Sequence, residues 1–194
     1  TYMDVLSHMV VAGVAFSQNI IGIVTRPYET YRRIVDRGTP WELIYVGVLL
    51  SFYFALASLV KTAAFRPFLL TRQFIVLVGA AGVSFLVTVG ILWLASRLVG
   101  GKGTFSGLVR AWAYTLVPTV LWFLSTSVLY VILPPPRTTS VMGVAFSLIF
   151  LLCSAMLFWW KLTLGYLVLR FSMRLDLVRI ITVAGIAAVV LGVY

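Results

Sequence analysis

Residues 74–96 read FIVLVGAAGVSFLVTVGILWLAS, an uninterrupted apolar stretch without one charged side chain. A hydrocarbon core about 30 Å thick is crossed by about 20 helical residues, so this stretch predicts a membrane-spanning helix. It is about twice as long as a membrane β-strand needs, and in hydrocarbon a helix satisfies every backbone N–H and C=O internally. Working outward, charged and Pro/Gly-rich stretches bound four further apolar runs, at 41–60, 111–133, 141–160 and 177–194.

The whole chain agrees with that reading. Of its 194 residues 62% are hydrophobic and only 10% charged, whereas soluble domains carry about 45–50% apolar and about 25% charged residues. An ordinary soluble enzyme is excluded. The predicted fold is all-α: a polytopic membrane helix bundle of five transmembrane helices over residues 41–194. An N-terminal interfacial or cytoplasmic helical segment precedes it over residues 1–40.

Fifteen Lys and Arg stand against five Asp and Glu. With five spans, Arg26, Arg32, Arg33, Arg37, Arg97, Lys102, Arg110, Lys161, Arg170, Arg174 and Arg179 fall on one side. Lys61, Arg66, Arg72 and Arg137 fall on the other. Basic loops stay cytoplasmic, so the N-terminus is expected in the cytoplasm and the C-terminus across the membrane. This asymmetry also accounts for the net charge of +10 without a nucleic-acid partner.

Residues 5–24 are apolar, but Ser7, His8 and the triplet Ser17, Gln18, Asn19 interrupt them. That mixture suits a helix lying in the membrane interface. Were it to cross, the chain would have six spans with both termini on one side. No basic n-region or A-x-A pattern marks a cleaved signal peptide.

The segment R-P-Y-E-T-Y-R-R-I at 26–34 reads as a helix start. Pro27 loses nothing in a first turn, where its missing N–H would be unpaired, and Glu29 complements the positive end of the dipole. Arg26, Arg32, Arg33 and Arg37 are read as contacts to anionic lipid headgroups, with a plain topology signal as the alternative.

Gly79, Ala80, Ala81 and Gly82, and in the last span Ala184, Ala188 and Gly192, strip bulk from helix faces. They are read as helix contact faces, within one chain or between copies. Pro118 removes a hydrogen bond to the Tyr114 carbonyl and predicts a kink in the third span. Trp159, Trp160 and Lys161 are expected at headgroup depth, closing the fourth span. Glu42 and Asp176 lie near helix starts, where the dipole alone accounts for them. On this reading no carboxylate, histidine or lysine lies deep in the bilayer, unlike the usual ion-coupled carrier.

The loop Gly100, Gly101, Lys102, Gly103, Thr104 lacks the G-x-x-x-x-G-K-[ST] spacing and the strand of a phosphate-binding loop, and is read as a flexible turn. One histidine, His8, and one cysteine, Cys153, are too few for a metal site or an internal disulfide. Neither paired carboxylates nor a nucleophile beside a base is found, so no enzyme activity and no cofactor are expected.

Three features together resemble the Ypt-interacting-protein (Yip) domain family of five-span membrane proteins. They are R-P-Y-E-T-Y-R-R-I at 26–34, the glycine-bearing loop at 100–107, and A-W-A-Y-T-L-V-P at 111–118. The run from Trp159 to Leu191 resembles that family's close, and the resemblance covers about residues 20–194. It implies a cytoplasmic N-terminus, a non-enzymatic bundle and a role in membrane organisation or trafficking. Eukaryotic members contact Rab-type small GTPases. Here no D-L-Y-G-P motif precedes the first span, where Gly38, Thr39, Pro40 and Trp41 stand instead. This departure argues against a small GTPase partner and fits a prokaryotic relative in an inner or plasma membrane.

The leading expectation is a non-catalytic protein that binds neighbours, whether other membrane proteins or copies of itself, or shapes the bilayer through lipid contact. A transport or lipid-translocation component using the Pro118 kink, and an accessory subunit of a larger membrane complex, are the alternatives.

Overall fold

A computed structural model describes residues 2–62, 67–132 and 141–193. The described residues form seven helices: α1 (Tyr2–Thr25), α2 (Pro27–Arg37), α3 (Glu42–Thr62), α4 (Pro67–Leu98), α5 (Phe105–Ile132), α6 (Val141–Ser172) and α7 (Leu177–Val193). Four stretches are long and apolar enough to cross a membrane: Asp4–Thr25, Thr71–Leu98, Phe105–Ser127 and Gly143–Ser172. Glu42–Ser58 and Leu177–Leu191 are shorter apolar helices. The chain is thus a polytopic helical membrane bundle. Five spans is an approximate count, because the N-terminal stretch assigned to the interface also has the length and hydropathy to cross.

Helix α5 is central, packing against α3 on one side and α6 on the other, while α7 packs on α4. The short helix α2 lies against α1, α5 and α6. It starts as its sequence predicts, with Arg26 at the N-cap, Pro27 in the first turn and Glu29 acidic in that turn.

Packing is concentrated at one end of the bundle. There the last turns of α4 and α6 meet the first turns of α5 and α7, and Val89, Leu92, Leu108, Ala111, Val168 and Met173 are buried together. Toward the other end, Ile75, Val76, Val83 and Leu86 of α4 and Leu148, Ile149, Leu151 and Leu152 of α6 are exposed. A helix apolar all round with its apolar side chains outward is what a lipid surround demands. Lipid tails are as apolar as leucine, so helix association there relies on close packing and on polar contacts instead. Ala95, Ala111 and Ala113 supply the small buried positions.

Helix α6 runs unbroken to Ser172, past Trp160, where the fourth apolar run was expected to end. Lys161 sits eleven residues before that end, about 17 Å at 1.5 Å per residue. Lys161, expected at headgroup depth, is half-buried within the helix. Arg66 and Arg137, counted for the opposite side, lie outside the described residues, and so do the side chain of Lys61 and the burial of Gly192.

Candidate functional site

Most of the basic residues assigned to one side gather at the packed end. Arg97 ends α4 and donates to the carbonyls of Gly101 and Gly103, at 3.4 and 3.1 Å. Lys102 donates its backbone N–H to the Met173 carbonyl at 3.1 Å, joining this loop to the end of α6. Arg170 and Arg174 follow in that segment, and Arg179 opens α7 with its guanidinium beside Gly100. Helix α2 reaches the same end, where Tyr28 meets Phe171 edge-on with ring centroids 4.8 Å apart.

The loop itself is not a free turn. Gly100 adopts φ +88°, the left-handed region that glycine enters without strain. Gly103 is buried, and a Cβ there would collide with the Ser172 carbonyl. These glycines serve close packing of the α4–α5 turn on α6 rather than flexibility.

The four arginines of the α2 segment have different surroundings. Arg26 pairs with Glu29 at 3.8 Å and Arg32 with Asp36 at 3.8 Å, all largely exposed, so both guanidinia remain open to solvent or headgroups. Arg37 is exposed in the last turn. Arg33 instead turns back to α1, where its Nε and Nη2 donate to Asn19 Oδ1 at 3.2 and 2.7 Å. Thr30, Tyr31 and Ile34 form the buried face of α2. Burial pushes the Tyr31 phenol well above its ordinary pKa, and its oxygen has no partner among the described residues.

Asn19 leads to a buried polar cluster. Its Nδ2 donates to Glu42 Oε2 at 2.9 Å and to the Tyr114 hydroxyl at 3.1 Å. Tyr114 donates to the same carboxylate oxygen. The other oxygen, Oε1, accepts from the Thr39 backbone N–H at 2.8 Å. Asn19, Glu42 and Tyr114 are each at most 3% exposed. Glu42 is therefore more than a dipole complement at a helix start, since it joins α1, α3 and α5 in one network. Burying a polar group without partners is costly, and three donors to its oxygens make the burial of Glu42 tolerable. Reading residues one at a time missed this cluster. The available signal was three polar side chains set in or beside apolar runs, each of which must find a partner away from water.

The remaining sequence candidates are placed as follows. Helix α5 continues through Pro118 from Phe105 to Ile132, and the contribution of Tyr114 is its hydroxyl. Gly79 and Gly82 face open space, with nothing within 4 Å of a Cβ added at either. Ala184 and Ala188 are exposed, whereas Ile180, Val183 and Ala187 are the buried positions of α7. Among the described residues no three His, Cys, Asp or Glu side chains gather as a metal site.

A cavity of about 420 Å³ lies in the elbow between α1 and α2. Arg26 and Arg33 line it with Gln18, Ile21, Thr25 and Glu29.

Compared with known proteins, the chain is matched over residues 21–194 by the family model of the Yip1 domain. No curated protein and no solved structure matches it. A match over nearly the whole length, on a chain that forms a helical membrane bundle, means that this protein belongs to the Yip1 domain family.

Proposed function

We propose that the chain is a non-catalytic membrane protein that organises the bilayer around it. It holds anionic headgroups at its basic end and presents the splayed apolar halves of α4 and α6 to lipid or to neighbouring membrane proteins. The observation that carries this reading is the shared position of α2 and the basic turns. Arg26, Arg32 and Arg37 lie exposed on a helix docked at the end to which Arg97, Lys102, Arg170, Arg174 and Arg179 belong. Basic residues beside an anionic surface contribute about 1 kcal/mol each. The charge bias favours the cytoplasmic leaflet for this end.

The test is reconstitution into zwitterionic vesicles with increasing anionic lipid, measuring the relative affinity of fluorescent anionic lipid for the protein. Arg32→Gln with Arg37→Gln is expected to lower that preference several-fold. An unchanged preference contradicts the reading.

A second reading, an accessory subunit of a larger membrane assembly, is favoured by the open face of α4 around Gly79 and Gly82. Such a face admits the backbone of another helix. Stoichiometric copurification of another membrane protein, lost on Gly82→Leu, is the outcome that reading requires.

A further inference from the structure

The elbow cavity carries more than the general charge of this end. Its volume, about 420 Å³, falls within the range of about 300–1,000 Å³ typical of small-ligand sites. Two arginines and one acidic residue line it, and Gln18 and Thr25 add neutral polar groups. Arg33 spends its Nε and one Nη2 bond on Asn19, an anchorage that fixes the guanidinium while leaving Nη1 without a hydrogen bond among the described residues. Arg26 has only the 3.8 Å contact with exposed Glu29. Arginine pairs in this arrangement suit the oxygens of a phosphate, which accept parallel charge-assisted hydrogen bonds.

The cavity is also amphiphilic. Ile21, on its wall, is 64% exposed, and Val14 and Val10 continue the same face of α1 at 55% and 61%. Positions 10, 14, 18, 21 and 25 recur at helical spacing, so the polar residues Gln18 and Thr25 lead directly into an apolar strip. A molecule with a phosphate at Arg26 and Arg33 would lay an apolar tail along that strip. The strip runs away from the basic end, in the direction that acyl chains take from a headgroup.

We infer that the α1–α2 elbow is a discrete binding site for a phosphate-bearing ligand, with Arg26 and Arg33 as the phosphate contacts and Ile21, Val14 and Val10 as the tail contacts. This rests on the headgroup reading of the basic end and narrows it to one site per chain. Glu29 sits on the rim and gives up its Arg26 contact when the phosphate enters.

The experiment titrates the detergent-solubilised 194-residue chain with dioctanoyl phosphatidylglycerol, dioctanoyl phosphatidylcholine and glycerol 1-phosphate. The wild type is compared with Arg26→Gln and with Arg32→Gln, whose guanidinium does not line the cavity. Both replaced side chains are exposed, and equal thermal midpoints check that folding is intact. The site predicts saturable one-to-one binding of the anionic lipid, about tenfold weaker in Arg26→Gln and within about twofold of wild type in Arg32→Gln. Glycerol 1-phosphate binding far more weakly than the lipid identifies a membrane source. Equal affinity identifies a soluble phosphate ester, which supports the phosphate contacts and overturns the tail contacts. Equal losses in the two variants overturn the discrete site while leaving the charged-end reading standing. Absence of any preference for the anionic over the zwitterionic lipid overturns both.

Discussion

The hydroxyl of Tyr114 donates a hydrogen bond to the carboxylate of Glu42, joining the middle of α5 to the first turn of α3 in a site closed to solvent. Asn19 bridges both groups to Arg33, so four helices share one polar network. Because leaving one partner of a buried hydrogen bond unsatisfied costs about 1–3 kcal/mol, Tyr114→Phe is expected to cost about 2 kcal/mol of stability. Glu42→Ala should cost more, since it strands the Asn19 amide and the Tyr114 hydroxyl together. In a double-mutant cycle the pair should couple by at least about 1 kcal/mol, as groups in one network do. Reversible unfolding in mixed detergent micelles measures all three. Additive losses would mean that the two groups stabilise independently.

The Gly103 contact with the Ser172 backbone leaves no room for a methyl group. Gly103→Ala should separate the α4–α5 turn from α6, weaken the Lys102-to-Met173 hydrogen bond and destabilise by about 2 kcal/mol. Thermal unfolding gives the loss, and faster amide exchange at Lys102 locates it. A midpoint equal to wild type would show the turn to be as loose as its glycine content suggests.

At Gly79 and Gly82 the opposite holds, because no other described residue comes within 4 Å of a Cβ built at either. Leucine at either position should leave the unfolding midpoint of the monomer within about 0.5 kcal/mol of wild type. If the face meets a second membrane helix, the same variants should weaken association in a bilayer FRET measurement. A large loss of monomer stability would place another part of this chain against that face.

Tyr31 is fully buried with its hydroxyl unpartnered among the described residues. Removing an unsatisfied buried polar atom relieves a desolvation cost of about 1–3 kcal/mol. Tyr31→Phe should therefore be neutral or stabilising by up to about 1 kcal/mol in the same unfolding measurement. Clear destabilisation would reveal a hydrogen bond made by that hydroxyl in the membrane.

Much of the architecture was legible because it follows from length and local chemistry. The uncharged run at 74–96 lies within α4, and Pro27 with Glu29 fixed the start of α2. Trp159, Trp160 and Lys161 have the composition of an interface anchor, and composition gave no sign that residues 162–172 continue the helix and bury Leu164, Val168 and Leu169. The facing of α7 is hard to read from sequence for a different reason. In a helix that is apolar all round no polar side contrasts with a core side, and the step from exposed Ala188 to buried Ala187 is one residue. Lipid exposure erases the periodic signal that orients a soluble helix. The Glu42 cluster joins residues 19, 42 and 114; their polarity in or beside apolar runs signals that each needs a partner, but not which one.

The most direct test of the central claim is native mass spectrometry of the chain extracted gently from a bilayer of equal phosphatidylglycerol and phosphatidylcholine. The proposed function predicts retained phosphatidylglycerol in clear excess, with that excess lost when Arg26, Arg32 and Arg37 are changed together to Gln. Retained lipid that mirrors the bulk bilayer, or an excess indifferent to those three charges, would contradict it.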